Sequence, residues 1–204
     1  MYADKTRFFD AQANAPWAAA DYGHEEAPKL ERLFAQTGPL AGCRVLEPGC
    51  GTGRLTAELA NRVGPEGHVL GMDISPEMIR LAQERLRDIP NATALTGSLE
   101  EQPLEPDGFD VALCHQVFPH IEDQPSALRC MALALRPGGS LIIHHFINSE
   151  TINDHHRKAG TAVEHDLMPE PTEIRAMLRD AGFEPGVLLD DELGYLLTAR
   201  LKAS

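Results

Sequence analysis

From Cys43 onward the chain alternates short apolar runs with segments whose apolar residues recur every three or four positions. The runs "CRVLEPG", "GHVLGMDI", "ATALTG", "FDVALCHQV" and "SLIIHHF" have strand length, and the segments between most of them carry helical spacing. Strand and helix in succession predict βαβ units and a mostly parallel sheet. A helix is predicted from about Thr52 to Val63. Another opens behind Ser75, an N-cap residue with Pro76 in the first turn, and runs to about Asp88 before Pro90 stops it. A third crosses roughly Gln124 to Leu135 and breaks at "RPGG".

The tail reads differently. "PTEIRAMLRDAGF" predicts a helix closed by Gly182, and "EPGVLLDDELGYLLTARLK" predicts two strands joined by a tight turn around Asp191 to Gly194. Hairpin strands pair antiparallel, so the expected sheet has seven strands, mostly parallel, with a reversed last strand and helices on both faces. Residues 1–42 read as a helical lead-in or lid and not as a second domain. Residues 43–204 then form one α/β domain, and 204 residues suffice for one sizeable core.

Composition narrows the partners. With 18 basic against 31 acidic residues the net charge is −13, which repels phosphate backbones and anionic lipid. Nucleic acid and membrane are therefore not expected as partners. A small molecule is, with the chain as monomer or homodimer. The opening "MYADKTRFFDAQ" lacks a signal-peptide core, and no apolar stretch approaches the ~20 residues of a spanning helix. Cys43, Cys50, Cys114 and Cys130 are scattered without a CxxC pair, so reduced thiols in a cytoplasmic protein are the expectation.

Candidate chemistry begins at "VLEPGCGTGRL". A strand ends, Gly49, Gly51 and Gly53 follow, and a helix starts. Glycines serve where the backbone turns sharply and a ligand comes closer than a Cβ allows. The new helix N-terminus offers N–H donors to an acidic part of that ligand. Asp73 lies twenty residues after Gly53, at the end of the second strand, where a carboxylate can accept ribose hydroxyls. The nicotinamide fingerprint is G-x-G-x-x-G, whereas this loop reads G-x-G-x-G behind Glu47. A carboxylate there suits an ammonium better than a diphosphate.

On these residues the chain resembles the class I S-adenosylmethionine-dependent methyltransferases, whose Rossmann-like fold has an antiparallel last strand. The resemblance runs from Cys43 to the C-terminus. "RFFDAQANAPWA" is similar to the lead-in of the small-molecule, quinone-biosynthesis branch, although Ala18 stands where that branch often has Asp. The resemblance implies a role for Glu47 at the methionyl amino group, for Gly49, Gly51 and Gly53 beneath it, and for Asp73 at the ribose. It further implies Ile74 and Met78 packed on adenine or ribose, Ser98 and Leu99 at the adenine, and Cys114 and His115 beside the methyl sulfonium. The activity implied is methyl transfer to a small acceptor. A non-catalytic cofactor- or metal-binding protein and a nicotinamide-dependent oxidoreductase are the rivals.

"HHFINSETINDHH" holds four of the nine histidines. The fifth strand should send His144 and His145 to opposite sides. Parity does not decide which faces the pocket; His144 is taken as that residue. A short helix capped by Ser149, with Glu150 in its first turn and Gly160 as its stop, puts Ile152, His156 and Ala159 on one face. Residues 146–169 then form a substrate lid whose His156, Asn153 and Asp166 line the pocket with His144. His144, His156 and His115 are the candidate catalytic residues. A metal site is the competing use, built from His144, His156 and Asp166 or His165. His115 and His120 in "HQVFPHI" read as pocket-lining, and Phe118, Phe146 and Tyr22 as flanks for an apolar acceptor.

Overall fold

A computed structural model describes residues 2–159 and 162–203. Three helices, α1 (Ala3–Gln12), α2 (Pro16–Ala19) and α3 (Ala27–Thr37), precede the alternating part. That part comprises β1 (Arg44–Pro48), α4 (Arg54–Val63), β2 (His68–Asp73), α5 (Pro76–Arg85), β3 (Ala92–Thr96) and β4 (Phe109–His115). After one 3-10 turn, Phe118–His120, come α6 (Gln124–Ala134), β5 (Leu135–His145), α7 (Ser149–Ala159), α8 (Pro171–Asp180), β6 (Phe183–Asp191) and β7 (Gly194–Leu201).

The seven strands form one sheet in the order β3-β2-β1-β4-β5-β7-β6. β1 to β5 pair in parallel, and β7 runs antiparallel to both its neighbours. The reversed last strand is thus where the hairpin required it, slotted between β5 and β6. Boundaries moved for local reasons. Helix α4 starts after Thr52 because Gly53 is still left-handed, at φ 77°. Helix α5 ends before Asp88 because Leu86 has left the helical region, at φ −89° and ψ 1°. Helix α6 stops before "RPGG": Leu135 is already extended and pairs with Phe109, and Arg136 to Gly139 form a bulge before Ser140 pairs with Val111.

Neighbouring residues on a strand face opposite layers, and this decides where the chemistry lies. Val45, Val69, Val111, Leu113 and Ile142 pack with Leu33, Leu55 and Leu59 of α3 and α4. Leu46, Ala112, Cys114, Leu141, Ile143 and Leu197 pack on the other side with Leu128, Met131, Ile174 and Leu178 of α6 and α8. His115 and His144 follow the parity of the first set, His145 that of the second.

Around α7 one expectation changes. Its cap is Asn148, whose Oδ1 accepts from Thr151 N at 2.9 Å. Ser149 instead gives its N–H and hydroxyl to Asp190, at 2.9 and 2.6 Å. The expected stop at Gly160 lies outside the described residues. No helix among the described residues is long and apolar enough to cross a membrane.

Candidate cofactor and acceptor site

β1 delivers Glu47 and the glycine loop to the C-terminal edge of the sheet, where open α/β sheets bind ligands. All three glycines need positive φ: 68° at Gly49, 54° at Gly51 and 77° at Gly53. A Cβ on Gly49 would stand 2.1 Å from Val117 Cγ2, and one on Gly53 3.1 Å from Ala82. On Gly51 it would meet only Met78 Sδ at 4.0 Å, so that glycine keeps the loop open. Asp73 braces the loop from β2. Its two carboxylate oxygens accept from Gly51 N and Ser75 N, each at 2.9 Å. Burial raises its pKa, and those two N–H groups oppose the rise.

Over this edge lies a cavity that holds, with its open mouth, about 1020 Å³. Glu47, Gly49, Gly51, Asp73, Ile74, Met78, Ser98, Leu99 and His115 all line it. Gly53 does not: it is the N-cap of α4, packed on α5. Glu47 is buried, and its Oε2 accepts from the Thr56 hydroxyl at 2.6 Å. Burial lifts its pKa to about 8 against that hydrogen bond. Ser98 is buried, and its Oγ has no hydrogen-bond partner among the described residues. Cys114 is a correction. It is fully buried on the α6 side, with Sγ 3.7 Å from Met131 Sδ, and burial pushes its thiol up to about 12. The next residue along β4, His115, takes the pocket side.

The histidines assemble in two pairs; of the three candidate catalytic residues only His115 lines the cavity, while His144 and His156 sit one ring back. His115 lines the cavity; His144 lies behind it, with Nδ1 atoms 3.0 Å apart. His120 also lines the cavity; His156 lies behind it, ring centroids 4.6 Å apart. His144 and His156 therefore do not line the cavity, because β5 and α7 end behind β4 and the 3-10 turn. His145 faces the opposite side, beside Tyr195. Of the suggested flanks, Tyr22 lines the cavity and Phe146 packs against His115. Phe118 is instead core.

Asp166 is the centre of the second pair. Its Oδ2 accepts from His120 Nδ1 at 2.8 Å, and its Oδ1 faces Lys5 Nζ at 2.7 Å. Its backbone carbonyl accepts from His156 Nδ1. Burial would raise the Asp166 pKa, but the bonds from His120 and Lys5 overcome it and hold the carboxyl low. The competing metal set does not converge, since Asp166 has both oxygens engaged, His144 is on the α3 side of the sheet, and His165 is exposed. Among the described residues no group of three or more His, Cys, Asp or Glu could hold an ion.

Besides Tyr22, the N-terminal segment roofs the cavity with Tyr2, Phe9, Trp17 and Ala18, which were not singled out from the sequence as pocket-lining. Asp10 accepts from Ser75 Oγ at 2.5 Å and Glu77 N at 3.1 Å, which fastens α1 to the start of α5. Gln116, in the left-handed region at φ 58°, also lines it, and its N donates to His144 O at 2.8 Å. None of these contacts has a local signal, because each joins segments far apart in the chain.

Comparison with known proteins places this arrangement. A family described as "Methyltransferase domain" matches residues 39–182. The ubiquinone/menaquinone biosynthesis C-methyltransferase of Vibrio campbellii is 36% identical over 143 residues, covering 69% of this chain and 54% of that protein. The chain thus spans about half the length of that relative. Among solved structures, the methyltransferase of Haloferax volcanii in complex with the Trm112 methyltransferase activator superposes with a TM-score of 0.78 at 21% identity, covering 96% of this chain and 98% of that one. Phosphoethanolamine N-methyltransferase 2 of Haemonchus contortus, in complex with S-adenosyl-L-methionine, gives 0.72 at 23% identity, covering 91% of this chain and 45% of that one. At these identities the superpositions speak for the fold alone. With the family match over most of its length, and the glycine loop, Glu47 and Asp73 set around one cavity, the chain belongs to the class I S-adenosylmethionine-dependent methyltransferases.

Proposed function

We propose that the chain transfers a methyl group from S-adenosylmethionine to a small-molecule acceptor enclosed beneath its N-terminal segment. The observation that carries this is one cavity whose lining brings Glu47, the glycine loop, Asp73 and Ser98 together with His115, His120, Phe9 and Tyr22. The residues present fit the cofactor. Gly51 leaves open the space a side chain would fill, Ser98 Oγ is a buried polar atom lacking a partner among the described residues, and Glu47 has its Thr56 bond and room for a cation. Bound there, the cofactor supplies an electrophilic methyl group on a sulfonium.

The chain's residues do the rest. Glu47 pairs with the amino group, and the loop N–H groups meet the carboxylate. Asp73 accepts the ribose hydroxyls with the lone pairs its two N–H bonds leave free. Ser98 and Leu99 border the adenine, with Met78 and Ile74 beside it. An ionised Asp166 only accepts, so His120 carries a proton on Nδ1, and in the neutral ring the lone pair is then on Nε2. That geometry makes His120 the base that removes a proton from the acceptor, with Asp166 holding the ring. The aromatic roof from residues 2–22 excludes water, and Asp166, paired with Lys5 and His120, ties that roof to the ring of the base. The C-methyltransferase name of the Vibrio relative and the acidic surface support a small acceptor over nucleic acid. The same surface, with four unpaired thiols, supports a cytoplasmic setting.

Calorimetric titration with S-adenosylhomocysteine tests the cofactor. Micromolar binding that weakens at least about tenfold in Asp73→Ala is expected, one charge-assisted hydrogen-bonding site being lost. Absence of binding to the unaltered chain would overturn the reading. On whichever member of a panel of small phenols and amines is methylated, His120→Asn should cut turnover about 10²–10⁴-fold while leaving S-adenosylhomocysteine affinity unchanged.

A further inference from the structure

His115 and His144 face each other across the paired ends of β4 and β5. Their rings lie 13° from parallel with centroids 5.1 Å apart. That separation is too long for two rings in contact face on face. With the Nδ1 atoms 3.0 Å apart, the nitrogens lie between the rings, edge to edge, as in a hydrogen bond. Two neutral imidazoles so arranged share one proton, and one ring must donate while the other accepts.

The far side of His144 decides which. Its Nε2 is buried and has no partner among the described residues. The charged groups bearing on it are Arg32 and Lys29 of α3, and Arg32 Nη2 is itself a buried donor without a partner among those residues. Although Arg32 Nη1 is paired with Asp191 Oδ1 at 2.6 Å, the surroundings of His144 still hold that unpartnered donor and two cations that disfavour its protonation. If His144 accepted from His115, its own proton would sit on Nε2, adding a second buried N–H without a partner among those residues to that of Arg32. If His144 donates, Nε2 carries only a lone pair, which the cations favour.

We propose that His144 is a positioning residue: it donates to Nδ1 of His115, fixes the His115 proton on Nε2, and so presents a neutral hydrogen-bond donor to an oxygen of the acceptor. The tautomer follows from the chain alone, whereas the class of acceptor rests on the methyl-transfer reading above. Both rings stay uncharged at neutral pH, burial bringing His144 to about 3 and His115 well below its ordinary value. The other groups around His115 are Tyr22, Phe146, His145 and the Arg54 guanidinium, none of them anionic. A fixed N–H in such a site stabilises charge that develops on oxygen as a base removes the proton. Phenols, enols and similar oxygen compounds gain from it. A simple amine, whose one lone pair must attack the methyl group, does not.

Long-range ¹H–¹⁵N spectra of the labelled chain read the tautomer, with His115 assigned by its loss in His115→Gln. A proton on Nε2 of His115 is expected, and a proton on Nδ1 overturns the proposal. The second arm uses p-nitrophenolate as probe, with S-adenosylhomocysteine saturating. Its binding should weaken about tenfold in His144→Phe and return in His144→Asn, whose amide can donate from the Nδ1 position. Equal binding in His144→Phe would overturn the positioning role. Failure of p-nitrophenolate to bind the unaltered chain would overturn the acceptor class, while S-adenosylhomocysteine binding separately tests the methyl-transfer reading. Should His144→Phe not fold, the spectrum of the unaltered chain still decides.

Discussion

Glu47 sits in conflict with its surroundings when no cation is beside it. A carboxyl buried at the end of β1, with one hydroxyl as partner, holds its proton up to about pH 8, against an ordinary value of 4.5. The sign of the consequence follows from linkage. Between 4.5 and 8 the unfolded chain has lost the proton that the folded chain retains, so stability of the ligand-free protein falls as pH rises through that window. Glu47→Gln removes the titration. Its melting temperature should exceed that of the unaltered protein by about 5 °C at pH 8, with the gap closing toward pH 5. Scanning calorimetry across that range checks this, and a gap independent of pH would contradict it. Binding has the opposite preference, because an ammonium favours the ionised form. S-adenosylhomocysteine should therefore release up to one proton at pH 7, seen as a binding enthalpy that varies with the ionisation enthalpy of the buffer. In Glu47→Gln that release should vanish and affinity should drop.

Among the elements, what could be read from sequence was whatever a short stretch decides by itself. The seven strands, the reversal of the last and the glycine loop were all of this kind. Facing was not. β5 is buried on both sides, so "SLIIHHF" is a continuous apolar run whose alternation carries no label for pocket or core. Only the packing of Ile142 with α3 and α4, and of Ile143 with α6 and α8, tells where His144 and His145 go. Cys114 was misplaced for the same reason, one residue out of phase with His115. The glycine loop offers a test of what each position does. In Gly49→Ala the new Cβ would collide with Val117 at a left-handed backbone, which should cost about 2–4 kcal/mol of stability. In Gly51→Ala the Cβ projects beside Met78 without collision, so the cost should be nearer the ~1–2 kcal/mol of left-handed backbone alone. Cofactor affinity should nevertheless suffer in both. Denaturant melts paired with calorimetry separate the two effects, and equal destabilisation would contradict the difference in packing.

The cavity belongs to the molecule as a whole, since its walls come from five stretches between Tyr2 and Ile121. The roof is held by contacts that span most of the chain. Tyr2 donates to Glu100 at 3.1 Å, Lys5 pairs with Asp166, Asp10 accepts from Ser75, and Arg85 Nη2 donates to Ala19 O at 2.8 Å. Of these the Lys5–Asp166 pair is the most buried, with side chains 10% and 8% exposed, and breaking it leaves a charge without its partner. It also joins the roof to the ring of His120, so opening of the roof and the aim of the base are coupled. Arg7 lies exposed on α1, where trypsin can reach it once the helix loosens. Ligand spanning roof and floor stabilises the closed form by mass action. Saturating S-adenosylhomocysteine should therefore slow cleavage after Arg7 by about tenfold or more when present at well above its dissociation constant. Lys5→Met should raise the cleavage rate without ligand and blunt that protection, while the alternating domain keeps its melting transition. If ligand protected the variant as well as the unaltered chain, the roof would be held by the remaining contacts alone, and the base would have to be aimed without it.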